Sequence, residues 1–117
     1  MIYKLQLSGW NFDGTSRRGG RDLIGEWLAS IRDPHARAAV AIRLTRLAEG
    51  NSGDSKPVGD GVLELRIDVG QGYRLYDARI GRAVILLLCG GDKRRQRNDI
   101  ERAKSLLGDH RRSSCSE

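Results

Sequence analysis

Four cationic side chains lie at positions that suit phosphate binding. They come from separate segments of one stretch of the chain: Lys56, Arg66, Arg74 and Lys93. Arginine offers a planar fork of donors that matches phosphate oxygens, and lysine adds a compact positive charge. Cations that converge on one phosphate stabilise the charge that develops when it reacts. The pattern therefore predicts a phosphate site built mainly on Arg74 and Arg66.

Aromatic and polar residues flank these cations. Five of them are candidates for contacts with the bases or phosphates of a nucleic acid: Tyr73, Tyr76, Arg94, Arg95 and Gln96. Aromatic rings stack on unpaired bases, and arginines bind the phosphates between them. A second interpretation remains open, in which Arg74 pairs with Asp68 and Arg66 stacks on Tyr76. That arrangement would be a solvated sheet face without a ligand.

Other kinds of site are not indicated. The sequence has no Walker A motif, no Rossmann glycine pattern in the right context and no Cys/His set at zinc spacing. His35 is expected in the first turn of a helix and His110 near the end of the chain, so neither should act with the cations. We therefore expect neither a metal nor another cofactor.

Three predicted strands position the cations. Apolar residues at every second position over 63–69 predict a half-buried strand. Residues 70–72 predict a three-residue hairpin loop, and residues 73–80 form the returning strand. Residues 82–89 are almost continuously apolar, which is typical of a central strand covered on both faces and paired on both edges.

The hairpin loop predicts the register of the first two strands. A loop of three residues places Asp68 opposite Arg74 and Arg66 opposite Tyr76. Cross-strand partners share a face, so Arg66, Arg74 and Tyr76 should stand together. A bulge in the loop would shift this register by one residue.

Two helices are predicted before the sheet. Asp22 can cap a first helix that ends near Arg32. Asp33 is the expected N-cap of a second helix, with Pro34 at its first position and Gly50 at its end. Together they predict an αα-hairpin that covers the sheet.

The remaining segments complete a single domain over residues 1–108. Residues 1–7 predict an opening strand at the edge of the sheet, and residues 9–20 a flexible loop. Residues 94–107 predict a third helix ended by Gly108. Residues 109–117 are polar and are expected to be disordered.

Composition favours a negatively charged partner. The chain has 117 residues, a formal net charge of +6 and a pI near 9.9, which makes nucleic acid the first candidate. Cys89 and Cys115 do not suggest a disulfide framework, and we expect both to be reduced. The longest apolar run is too short to span a bilayer. These features predict a soluble, cytoplasmic protein.

Short motifs follow one another in order over about residues 27 to 107. They are Trp27-Leu28, Ile31-Arg32-Asp33, Asn51-Ser52-Gly53-Asp54, Lys56-Pro57-Val58-Gly59, Glu64-Leu65-Arg66-Ile67, Gly72-Tyr73-Arg74-Leu75-Tyr76, Leu86-Leu87-Leu88-Cys89-Gly90-Gly91-Asp92-Lys93, Gln96 and Asp99-Ile100. Taken together they resemble the phage-derived killer-protein, HigB-like branch of the RelE/ParE toxin superfamily of type II toxin–antitoxin systems.

This resemblance implies a fold and a function. The fold would be α+β, with an N-terminal strand and a two-helix hairpin packed on a small, mostly antiparallel curved sheet, and a C-terminal helix. RelE-like members are mRNA endonucleases that act on the translating ribosome. They use the 2′-OH of the RNA to attack the adjacent phosphate. A cognate antitoxin, usually with a helix-turn-helix domain, holds the toxin inactive.

The resemblance also implies roles for individual residues. Arg74 matches the arginine that stabilises the phosphate, and Arg66 matches a basic position on the preceding strand. Lys93, with Arg94 beside it, matches the basic position after the last long strand. Lys56 is the remaining cation that would bind phosphate, or act as a base if neighbouring cations lower its pKa.

Departures from the family pattern leave two alternatives open. Asp99-Ile100 stands where RelE-like members have a tyrosine, and the histidines of HigB-like relatives are absent from the sheet region. The protein would then be a ParE-like toxin that inhibits DNA gyrase without cutting RNA, or a degenerate member that only binds its antitoxin. The long loop over residues 9–20 is a further departure.

Overall fold

The computed structural model describes residues 17–18, 21–80 and 84–115. The elements in chain order are β1 (Arg17–Arg18), β2 (Arg21–Asp22), α1 (Leu23–Ser30), α2 (Pro34–Ala48), β3 (Ser55–Gly59), β4 (Val62–Ile67), β5 (Tyr73–Ile80), β6 (Val84–Asp92), a 3₁₀ turn (Lys93–Arg95) and α3 (Gln96–Cys115). The predicted α+β architecture is confirmed, with two helices before a small antiparallel sheet and one after it. The predicted strand over residues 1–7 lies outside the described residues.

The first two helices form as predicted, and their corner is fixed by side chains. Asp33 is the N-cap of α2, since its Oδ1 accepts a hydrogen bond of 3.0 Å from the backbone N–H of His35. Pro34 occupies the first helical position, where a missing N–H costs nothing. Arg37 donates two hydrogen bonds to the carbonyl of Ile31, at 3.1 and 2.6 Å. The first residue of the connection, Ile31, is thereby tied to α2.

The hairpin between β4 and β5 has a longer loop than predicted. Ile67 pairs with Tyr73, so five residues form the connection, and Gly70 and Gly72 both take positive φ. The register is therefore two residues away from the predicted one, and Arg66 lies opposite Arg74. Because the shift is even, each side chain keeps its predicted face of the sheet.

The described residues pair strand β6 along one edge, and a partner for its second edge, as predicted, would lie outside them. The four-stranded sheet has the order β3-β4-β5-β6, so β5 lies inside it and β6 pairs only with β5 among the described residues. The predicted burial of both faces of β6 is confirmed, since Ile85, Leu86, Leu87 and Leu88 are all buried.

The sheet separates two apolar layers. Helices α1 and α2 pack on one face, where Ile24, Val40 and Leu47 meet Leu65 and Leu75. On the other face α3 packs on the sheet. It contributes Ala103, Leu106 and Leu107 to this second apolar layer. Both faces of a small sheet are thus removed from water.

Helix α3 is longer than predicted because Gly108 does not end it. The helix continues to Cys115, and an ion pair between Asp109 and Arg112 lies across its last turns. Arg111 reaches back to the β3–β4 turn and donates to the carbonyl of Asp60 at 3.3 Å. In the described part of the chain, no helix combines the length and apolar character needed to cross a membrane.

Candidate functional site

A buried carboxylate lies at the centre of the candidate site. Glu64, in β4, is fully buried. Its Oε2 accepts hydrogen bonds from the hydroxyl of Tyr76 at 3.0 Å and from Nε2 of Gln96 at 2.7 Å. Glu64 therefore joins β4, β5 and the start of α3.

Arg74 lies against this carboxylate and is itself buried. Its side chain is 7% exposed, and its Nε lies 4.0 Å from Oε1 of Glu64. Neither of these two atoms has a hydrogen-bond partner among the described residues. The Nη1 group donates to the carbonyl of Tyr73 at 3.1 Å and lies 3.9 Å from Oδ1 of Asp68. A buried guanidinium needs such a negative partner because desolvation of an unpaired charge costs several kcal/mol, on the order of 3–5.

Lys56 and Lys93 border Glu64 and Arg74 from two other segments. The Nζ of Lys56 lies 4.0 Å from Oε1 of Glu64, and its side chain is 52% exposed. Lys93 follows β6 directly, and its backbone N–H donates to the carbonyl of Gly72 at 3.3 Å. Lys93 and the guanidinium of Arg74 both lie beside Gly72. A Cβ placed on Gly72 would lie 3.6 Å from Cβ of Lys93 and 3.8 Å from Nη1 of Arg74.

Three of the four predicted cations are therefore brought together. We call Lys56, Arg74 and Lys93, with Glu64 among them, the cation cluster. Its members come from β3, β5, the 3₁₀ turn and β4. Two exposed lysines border a buried arginine, so the cluster offers an exposed positive surface with a fixed charge behind it.

Arg66 has a different set of partners. Its guanidinium forms an ion pair of 3.0 Å with Asp54, and its backbone N–H donates to the Asp54 carbonyl at 2.9 Å. The hydrogen bond and the charge of Asp54 raise the pKa of Arg66. Arg43 donates to the Arg66 carbonyl at 2.6 Å. Arg66 thus fastens the loop after α2 to β4, although it lies directly opposite Arg74 in the sheet.

Both tyrosines that were candidates for contacts with RNA are buried. Tyr76 is fully buried under α3, and burial together with the charge of Glu64 raises its pKa far above the ordinary value. Its hydroxyl is therefore a fixed neutral donor to Glu64. Tyr73 lies on the other face of the sheet, 7% exposed, in the layer formed with α1 and α2. Neither ring is open to stack on a base, because helices cover both faces.

The three predicted residues after the sheet adopt separate roles. Asp92 caps the 3₁₀ turn and accepts from the backbone N–H groups of Arg94 and Arg95 at 3.0 and 3.2 Å. Both arginine side chains are exposed, and that of Arg94 lies 3.5 Å from Asp92. Gln96 instead points inward to Glu64. Arg94 and Arg95 remain available to phosphates, whereas Gln96 is part of the support of the site.

Glu64 is the residue that the sequence interpretation missed. It lies directly opposite Tyr76, and an acidic residue facing a tyrosine across two strands is a signal of a buried hydrogen bond. The predicted register placed Arg66 opposite Tyr76 instead, which hid this pairing.

Comparison with known proteins finds a relative that matches 68% of this chain. A Haemophilus influenzae protein with the name "Uncharacterized protein" is 49% identical to this chain over 80 residues, which cover 68% of this chain and 81% of that protein. No protein-family model matches the chain. No solved structure matches it at a significant level. At this identity and coverage, the chain belongs to the same family as the Haemophilus influenzae protein.

Proposed function

We propose that the protein is the toxin of a type II toxin–antitoxin module and acts as an mRNA endonuclease on the ribosome. The observation that carries the proposal is the cation cluster, in which Lys56, Arg74 and Lys93 converge from three segments on one end of the sheet. The net charge of +6 and the ordered motifs that resemble RelE/ParE toxins support the same function.

The chemistry follows from what the cluster can stabilise. The 2′-hydroxyl of the RNA loses its proton, and its oxygen forms a bond to the adjacent phosphorus. The bond from phosphorus to the 5′-oxygen then breaks, and that oxygen takes up a proton. The products are a 2′,3′-cyclic phosphate and a 5′-hydroxyl. Negative charge accumulates on the phosphate oxygens between these steps. Cations that are already in place stabilise that charge better than water does, because water must first reorient.

Each member of the cluster has a distinct part in this proposal. Lys56 and Lys93 contact the phosphate oxygens, because their amino groups project from the surface. Arg74 supplies a fixed positive charge behind them, held by Glu64 at 4.0 Å. Tyr76 and Gln96 hold Glu64 in turn. A cognate antitoxin, expected to carry a helix-turn-helix domain, would keep this surface from RNA in the cytoplasm.

One observation favours a second function, inhibition of DNA gyrase by binding. Both tyrosines that the structure describes, Tyr73 and Tyr76, are buried. Neither is available to transfer a proton to RNA. A toxin that binds its target without cutting RNA needs no such group.

Mapping of RNA 5′ ends after induction separates the two functions. Cuts within translated codons are expected for the endonuclease, whereas intact mRNA with an SOS response would indicate gyrase. Lys93→Ala should abolish the cuts, because it removes an exposed cation, while Arg46→Ala on the exposed side of α2 should preserve them. Full growth of the induced wild type would overturn both toxin functions and leave an antitoxin-binding protein.

A further inference from the structure

A cleft of about 670 Å³ opens at the C-terminal end of β6. Helix α1, the loop before β5 and the first turns of α3 line it. The volume lies in the range typical of small-ligand clefts, roughly 300–1,000 Å³. The cleft is separate from the cation cluster, yet it is close to it, since Gly91 in its wall is the direct cross-strand partner of Arg74.

Trp27 forms an aromatic wall of this cleft. A Cβ placed on Gly90 would lie 2.2, 2.3 and 2.4 Å from three atoms of the indole, Cδ2, Cε3 and Cε2. Since these three bonded atoms are nearly equidistant from one point, the face of the ring rests on Gly90. The ring is partly exposed and lines the cleft. A flat indole held against a glycine is a platform on which a nucleic acid base can stack.

Cations from the 3₁₀ turn and from α3 form another wall. Arg95 and Arg102 both line the cleft, and Asp99 lies between them along the helix at spacings of four and three residues. Residues at this spacing share one side of a helix. Neither guanidinium forms an ion pair with a carboxylate in the part of the chain that the structure describes. Both can therefore bind an anion, beside the carboxylates of Glu26, Asp33 and Asp92 that also line the cleft.

Asp99 anchors this wall. Its side chain is 4% exposed, and a Cβ on Gly91 would lie 2.7 Å from its carboxyl carbon. Burial raises the pKa of Asp99, while the charges of Arg95 and Arg102 act in the opposite direction. Its Oδ2 has no hydrogen-bond partner among the described residues. Gly90 and Gly91 thus let Trp27 and Asp99 approach the strand from opposite sides.

We propose that this cleft binds one nucleotide of a single-stranded RNA, with the base stacked on Trp27 and the phosphate held by Arg95 and Arg102. The choice of RNA rests on the proposed function, and the nucleotide would be a neighbour of the phosphate at the cation cluster. Inorganic phosphate would contact only Arg95 and Arg102 and would leave the ring of Trp27 without a ligand. A base with its phosphate uses the aromatic ring and the arginines together.

The test measures binding of short oligonucleotides that cannot be cleaved. A fluorescent 2′-O-methyl trinucleotide and an abasic trinucleotide of equal charge are titrated against the full-length protein by anisotropy. The base-containing probe should bind at least about ten-fold more tightly, and Trp27→Leu should lower its affinity roughly 5- to 100-fold with little effect on the abasic probe. Because Trp27 also packs on the core, Trp27→Phe serves as a second variant, with a smaller loss at an unchanged circular dichroism spectrum.

The arginines are tested with the same two probes. Arg95→Gln and Arg102→Gln should each weaken both probes and reduce the dependence of binding on salt. Arg97→Gln is the matched control, since Arg97 is exposed in the first turn of α3, between Arg95 and Arg102 in the sequence, and does not line the cleft. Equal binding of the two probes, or full binding by Trp27→Leu and Arg95→Gln, would overturn the proposal.

Failure of this proposal is distinguishable from failure of the proposed function. If induced protein cuts mRNA but its Trp27 and Arg95 variants cut and bind as the wild type does, only the nucleotide cleft is rejected. If mRNA stays intact while trinucleotide binding depends on Trp27, the endonuclease function is rejected and the cleft stands.

Discussion

Replacement of Glu64 by glutamine should destabilise the protein through Arg74 and only slightly through Lys56. Both cations lie 4.0 Å from Oε1 of Glu64. At about 4 Å, two unit charges interact by about 4 kcal/mol when the effective dielectric constant is about 20. The Arg74 side chain is 7% exposed, whereas that of Lys56 is 52% exposed. Solvent reduces the interaction of such an exposed charge to about 1 kcal/mol or less.

The expected loss for Glu64→Gln is about 2–4 kcal/mol in the free energy of unfolding. Glutamine keeps the shape of the side chain and one oxygen that accepts from Tyr76 or Gln96, so the loss comes mainly from the charge. The loss should not exceed this range, because Glu64→Gln also removes the free-energy cost of burying the charged carboxylate. A domain of ordinary stability, about 5–15 kcal/mol, stays folded after this change.

Double-mutant cycles measure the two interactions separately. Urea unfolding is followed by circular dichroism for Glu64→Gln, Arg74→Met, Lys56→Met and the two pairs that contain Glu64→Gln. We expect a coupling of about 2 kcal/mol or more with Arg74 and less than about 1 kcal/mol with Lys56.

The exposed pair of Asp54 and Arg66 provides the control cycle. Its atoms are closer, at 3.0 Å, but the two side chains are 46% and 40% exposed. Its coupling should be clearly smaller than that of Glu64 and Arg74, because solvent screens both of its charges. A coupling for Asp54 and Arg66 as large as that for Glu64 and Arg74 would refute the reasoning, since distance and not burial would then decide the strength.

Four further predictions concern side chains and glycines of the sheet and of α3, each measured by urea unfolding. Tyr76→Phe removes the donor of a 3.0 Å hydrogen bond to a buried carboxylate and should cost about 1.5–3 kcal/mol. Burial raises the pKa of Asp77 to about 7, so the folded protein keeps a proton that the unfolded chain releases near pH ~4. Stability should therefore fall as the pH rises from about 4 to about 7, and Asp77→Asn should remove this dependence; an unchanged slope would contradict the burial argument. Gly90→Ala places a methyl group 2.2 Å from a tryptophan ring atom and should destabilise by about 1–3 kcal/mol. Gly108 lies inside α3, and a Cβ added there would lie 3.5 Å from its nearest neighbour atom, which is an ordinary contact. Gly108→Ala should therefore stabilise the protein by about 0.5–1 kcal/mol, because alanine favours the helix more than glycine does, and a loss of stability would contradict this.

Periodicity predicts the elements of this fold better than it predicts their ends. The alternation in β4 and β5 indicates which side chains share a face, and an even shift in register leaves that unchanged. The hairpin loop is harder to predict because Gly70 and Gly72 allow several turns. Gly108 resembles a helix stop, but contacts of Arg111 with the β3–β4 turn accompany continuation of α3. Tertiary contacts decided these cases.

The same distinction holds for the candidate site. Residue types predicted a convergence of Lys56, Arg74 and Lys93, and the structure brings these three together. Burial of Arg74 was not predictable, because nothing in the alternation of β5 indicates that α3 covers its polar face. The role of Glu64 depends on the register, since its partner Tyr76 is identified only once the two strands are correctly aligned.

Glu64 should affect stability and anion binding in opposite directions. Its charge stabilises the buried Arg74, but it also offsets part of the positive charge that the cation cluster offers to a phosphate. Glu64→Gln should therefore weaken the fold and strengthen binding of a 2′-O-methyl oligonucleotide at low salt, where charge dominates affinity. Anisotropy at a temperature well below the unfolding transition measures this effect, and Asp54→Asn, which removes an exposed carboxylate, serves as the control. Weaker binding by folded Glu64→Gln would mean that Glu64 matters to RNA mainly by orienting Arg74, and not by balancing its charge.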